Sequence, residues 1–212
     1  MKVLGLDKKL WSFIRGCDFL VYSFVIIIAM NSQRWFYQES SGIKFYGGLL
    51  RYETQDSIEA SSFDCSSYSD CSSQDSLSSD FQDAFESLYT GGLTYIVLNS
   101  LAIAALLVGT FFFSLEFVQK LSQPIVPLVC MWVAFLLNTI GYIVWATSVK
   151  LVFSDDCKNF LIDSDLDRSN SCAGSGGQFG LALTLILLLE GCFQSLIFYK
   201  TRQATSKLES VN

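Results

Sequence analysis

Four apolar stretches, each about 20 residues long, constrain this chain more than any other feature. That is the length a helix needs to cross the hydrocarbon core of a bilayer. They lie at about 12–33, 93–115, 126–148 and 177–199. With 212 residues, 51% hydrophobic and only 16% charged, the chain carries more apolar surface than a soluble core of this size hides. Phe is abundant at 18 and Pro scarce at 2, which suits long helices. The first stretch, Phe19 to Met30 behind Lys8, Lys9 and Arg15, has the outline of a secretory leader. Asp18 interrupts it, and "AMNSQRW" offers no small-x-small cleavage site, so a retained helix is expected.

Charge sets the expected orientation, because cytoplasmic segments collect Lys and Arg. The N-terminus offers Lys2, Lys8 and Lys9, the tail Lys200, Arg202 and Lys207, and the short link between the second and third stretches Lys120. Residues 31–92 instead hold ten acids against three basic residues, and residues 149–176 five against three. Both termini are therefore expected in the cytoplasm. The two acidic loops, about 34–92 and 149–176, then face the non-cytoplasmic side. A net charge of −6 with no basic patch argues against nucleic acid as a partner. Membrane lipids and other membrane proteins are the expected partners.

Cys65 and Cys71 fall in the first loop, Cys157 and Cys172 in the second. An oxidising compartment favours disulfides there, and four cysteines allow three connectivities. Short loops close most readily, which favours Cys65–Cys71 and Cys157–Cys172. Zinc is disfavoured, because the chain has no His and neither pair has CxxC-like spacing. Cys17, Cys130 and Cys192 fall in apolar stretches and read as free thiols, with Cys17 open to acylation near the cytoplasmic face.

The first loop has three sections. "WFYQESSGIKFYGGLLRY", from Trp35 to Tyr52, mixes aromatic and polar residues between glycines and predicts short strands. Glu53 to Asp75 is rich in Ser and Asp, with little to bury beyond the cysteine pair. Leu77, Phe81, Phe85 and Leu88 then recur at helical spacing, with Ser79 as a candidate N-cap and Gly91–Gly92 as a joint into the second span.

Trp35, then Gly48-Leu49-Leu50, then Cys65 and Cys71, then Asp75-Ser76-Leu77 beginning four residues after the second cysteine, form a recognisable order. The chain resembles the claudin superfamily, which includes peripheral myelin and epithelial membrane proteins and calcium-channel gamma subunits. Leu50 stands where the family's tripeptide carries Trp. The resemblance implies a mainly α membrane protein: one left-handed four-helix transmembrane bundle under a small extracellular antiparallel β-sheet, with a short extracellular helix. Most strands would come from the first loop and one from the second. The first-loop disulfide would join neighbouring strands, and the tripeptide would anchor the sheet near the membrane surface. A plasma-membrane location is the implied one.

Polar groups inside the apolar stretches need reasons, since a central charge costs roughly 2.5–3.5 kcal/mol on insertion scales. Glu190 shares a helical stripe with Gly180, Leu187, Gly191, Gln194 and Ser195. Asn99 shares a face with Ala102 and Gly109, and Asn138 with Ala134 and Gly141. Arg15 and Asp18 lie one turn apart, at a depth similar to Glu190, so Arg15 can bridge both acids. A buried structural network is the expected role and a proton or ion path the rival. With no His base, HExxH, P-loop or GxGxxG, no enzyme and no cofactor are expected. Three functions follow. A structural or adhesive membrane protein comes first. An accessory subunit of a channel or larger complex comes second, and a cation-selective pore favoured by the acidic loops third.

Overall fold

The structure, a computed structural model, describes residues 2–3, 6–40, 43–53, 67–73, 79–118, 123–153, 157 and 170–209. It is mostly helical. A two-residue strand pair, β1 (Lys2–Val3) with β2 (Leu6–Asp7), precedes α1 (Lys8–Met30). Strands β3 (Phe36–Ser40), β4 (Ile43–Gly47) and β5 (Tyr52–Glu53) follow, then the short α2 (Tyr68–Ser72) and the long α3 (Ser79–Phe117). Next come α4 (Ile125–Ser148), β6 (Leu151–Val152), β7 (Ser171–Ala173) and α5 (Ser175–Glu209). Four of the helices are long and apolar enough to span a bilayer: Lys9–Met30, Ser79–Phe117, Ile125–Ser148 and Ser175–Gln203. Exposed Phe, Leu, Ile and Val side chains on them, such as Phe24, Leu101, Ile143 and Leu189, have no other solvent to suit them than lipid. The chain is an integral membrane protein of the helical-bundle type.

Two compact units divide these elements. The terminal unit holds Met1–Ile27, Asn99–Asn138 and Leu183–Asn212. Phe19, Leu106, Met131, Ala134 and Leu187 are buried in it. Its helices approach closely at small residues: a Cβ at Gly109 would enter the Phe19 ring, and one at Gly191 would crowd the Trp132 indole.

The sheet unit holds Ile28–Leu98 and Thr139–Ala182. Its five strands run in the order β5-β4-β3-β7-β6. β3 pairs antiparallel with β4, from Phe36 opposite Gly47 to Ser40 opposite Ile43, and with β7, Tyr37 opposite Cys172. β6 runs parallel to β7, with Val152 opposite Cys172. The sheet is thus mixed rather than antiparallel, and the second loop supplies two strands rather than one. The reason is local. α4 ends at Ser148, and Lys150, in a left-handed conformation (φ 49°), turns the chain out of the helix into β6, which runs in the same sense as β7.

Two further expectations are corrected. Gly91 and Gly92 do not form a joint: α3 runs unbroken through them, and Ser79 is itself helical rather than a cap. The glycines serve close packing instead. A Cβ at Gly92 would collide with the Leu49 carbonyl, and one at Gly91 with Ser148. In addition, the Ser-rich section is not empty of packing. Ser67 caps α2 by accepting from the Asp70 N–H at 3.2 Å, and Tyr68 and Cys71 are buried. Cys71 is disulfide-bonded, but it lies on α2 and not on a strand of the sheet.

Candidate functional site

Two constellations stand out, one in each unit. In the sheet unit the centre is Trp35, fully buried at the head of β3. Its indole N–H donates to the Ala29 carbonyl at 3.1 Å, at the end of α1. Its ring lies edge-on to Tyr95 (4.6 Å between centroids) and Trp145 (4.8 Å). The row Gly174, Gly176, Gly177 and Gly180 gives it room, since a Cβ on any of these would press on the Trp35 ring or on the Arg34–Trp35 backbone. The Trp35 carbonyl accepts from the Gly174 and Gly177 N–H groups at 3.0 and 3.1 Å. The start of α5 is therefore built around one side chain.

The tripeptide lies beside it. Gly48 N–H donates to the Arg51 carbonyl at 2.8 Å, and its carbonyl accepts from the Tyr68 hydroxyl at 3.2 Å. Leu49 is buried, and the Leu50 carbonyl accepts from Tyr68 N–H at 3.0 Å. The Tyr68 ring stacks on Phe85 of α3 at 6.4 Å. Of the stripe expected in the first loop, Phe85 and Leu88 are buried and Phe81 is half-buried. Cys157 and Cys172 form a disulfide across 15 residues, with Cα atoms 5.5 Å apart. Cys65, Asp75, Ser76 and Leu77 lie outside the described residues.

In the terminal unit the centre is Arg15, buried on α1. One guanidinium nitrogen donates to Asp18 Oδ2 at 2.9 Å, and the other pairs with Glu190 of α5. Glu190 also accepts from the Tyr22 hydroxyl (3.2 Å) and from the Gln194 amide (3.3 Å). The Trp11 and Phe193 rings face the guanidinium at 5.6 and 5.9 Å. Trp11, Arg15, Asp18 and Tyr22 follow one another at helical spacing on α1, a stripe the sequence displays but that was not anticipated beyond its two charges.

A second cross-link joins three helices. Asn138 donates to Asn99 Oδ1 at 2.6 Å and accepts from the Thr184 hydroxyl at 2.7 Å, and both amides are fully buried. Ser12 donates to Glu116 at 2.9 Å, and the Trp132 N–H to Ser195 at 3.1 Å. Thr184, Ser12, Glu116 and Trp132 were not anticipated. Ser12 and Glu116 lie at span ends and read as interfacial, and nothing in sequence names a partner for any of the four. Cys17 and Cys192 are exposed free thiols and Cys130 a buried one. Among the described residues, no group of three or more His, Cys, Asp or Glu is placed to hold a metal ion. The chemistry these groups offer is attraction and fastening between helices, and a rigid sheet presented from one unit.

No family model and no curated protein matches the chain in sequence.

Proposed function

We propose that this is a claudin-like structural or adhesive membrane protein, not an enzyme, which makes lateral or trans contacts through its sheet. On this reading the sheet faces the non-cytoplasmic side of the plasma membrane, both termini are cytoplasmic, and the four spans form a left-handed bundle. One observation carries it. Strands from both loops form a single sheet whose central strand is keyed by Trp35 to the start of α5 and the end of α1. A sheet held that firmly has its strand order and exposed face fixed before any partner arrives, which lowers the ordering cost of binding. The acidic loops add long-range selectivity among partners.

The test uses purified protein reconstituted in vesicles. Adhesion predicts a homo-oligomer in mild detergent and clustering of vesicles that display the sheet outward. A chain that stays monomeric and leaves vesicles dispersed would sink the proposal. Orientation is checked with a membrane-impermeant thiol reagent on intact cells after reduction: positions 71, 157 and 172 should react from outside. The accessory-subunit reading comes second and draws on a different observation. The Asp18 side chain is 38% exposed within a span.

A further inference from the structure

The Arg15 cluster is unbalanced in a way that points outward. Two carboxylates, Asp18 and Glu190, share one guanidinium. Glu190 is nearly enclosed, at 12% exposure, and has Tyr22 and Gln194 as further donors. Asp18 is 38% exposed, and Arg15 holds only its Oδ2. Exposed Leu10, Phe13 and Ile14 precede Asp18 on α1, and exposed Leu20, Val21 and Phe24 follow it. Apolar surface therefore brackets the carboxylate on both sides. It lies about 12 Å along the helix from Leu10 at 1.5 Å per residue. A carboxylate at that depth needs a cation, and lipid tails supply none.

The other cations among the described residues, Lys2, Lys8, Lys9, Arg34, Lys44, Arg51, Lys150, Lys200, Arg202 and Lys207, sit at the ends of the spanning helices or beyond them. A second copy of this chain thus offers Asp18 no cation at its own depth among the described residues, because Arg15 is already engaged. We propose that Asp18 marks a docking face for a transmembrane helix of another protein that carries a Lys or Arg within its span. The cation completes the Arg15–Asp18–Glu190 cluster, while the exposed Ile14 and Val21, one turn away on either side, supply the apolar contact. This deepens the accessory-subunit reading, on whose observation it rests, and is independent of the adhesive one. Sheet contacts and helix docking use different residues and fail separately.

The experiment places the fluorescently labelled full chain in phosphatidylcholine vesicles with one of two acceptor-labelled probes. One is a Leu/Ala transmembrane peptide with a single Lys about 12 Å from its interfacial end, the other the same peptide with Leu there. Energy transfer should report about three- to tenfold tighter association of the Lys peptide. Asp18→Asn should remove that preference and Asp18→Glu keep it. Vesicle clustering should be unchanged in both variants. Equal association of the two peptides, or a preference that survives Asp18→Asn, overturns the proposal. So does a preference abolished by phosphatidylethanolamine, whose headgroup amine would then be the occupant. Self-association of the chain that Asp18→Asn removes would likewise overturn it, since the face would then serve a second copy. Should Asp18→Asn fail to fold, Asp18→Glu and the paired peptides still decide.

Discussion

The two units are fastened by different means. In the terminal unit the links between helices are mostly side chain to side chain: Arg15 to Glu190, Asn138 to Asn99, Thr184 to Asn138, Ser12 to Glu116, Trp132 to Ser195. In the sheet unit they are mostly side chain to backbone: Trp35 to the Ala29 carbonyl, Tyr68 to Gly48, Tyr142 to Gly177. Bare glycines there admit aromatic rings and carbonyls. Between apolar tails a hydrophobic drive is missing, so helices need polar pairs or close contact of small residues. The terminal unit relies more on the former, the sheet unit on shape. Shape tolerates substitution poorly even when polarity is kept, whereas a polar pair fails when either partner loses its bonding group.

That contrast can be broken. Trp35→Ala should cost the most, about 4 kcal/mol, through the cavity left between Tyr95 and Trp145 and the lost bond to Ala29. The measure is the thermal midpoint in detergent, followed by tryptophan fluorescence. Gly92→Ala should come next, at about 3 kcal/mol, because the obstacle is the Leu49 carbonyl, which is backbone and cannot step aside. Gly16→Ala is its control in the terminal unit: its Cβ would sit 3.6 Å from Phe113 Cβ, an ordinary contact, and the midpoint should barely move. Glu190→Gln keeps the shape and removes the charge, and should cost about 2 kcal/mol. A double-mutant cycle with Arg15→Met should show that the two positions are coupled. Asn138→Leu should cost about 1 kcal/mol, as the bonds to Asn99 and Thr184 are lost but their partners can find others. If Glu190→Gln proved silent while Gly16→Ala unfolded the protein, the distinction between the units would be wrong.

The same distinction explains what the sequence made legible. A charge or amide inside an apolar run stands out, so Arg15, Asp18, Asn99, Asn138, Glu190 and Gln194 were visible as residues needing partners. The structure places a partner beside each. The spans were visible for the same reason, since apolar runs of that length have few other uses. Backbone acceptors carry no letter of their own. Nothing in "AGSGGQFG" announces that its glycines clear a space for Trp35, and Gly91–Gly92 read as a hinge because what they accommodate, Ser148 and the Leu49 carbonyl, lies more than forty residues away. The strands of residues 35–52 were foreseeable from aromatic residues between glycines. β6 and β7, two and three residues long, were too short to show any alternation, and their parallel pairing leaves no mark in sequence. Trp35 itself drew notice through a resemblance in motif order, whereas its surroundings explain physically why a large aromatic residue belongs there.

The bond between Cys157 and Cys172 has a further consequence. Any enzyme that nicks the chain between these two positions produces two polypeptides, yet releases neither. The molecule would run as one species until a reducing agent is added and as two thereafter, with α5 and the tail on the smaller piece. Scission at this site therefore leaves the protein whole, and only combined cutting and reduction takes it apart.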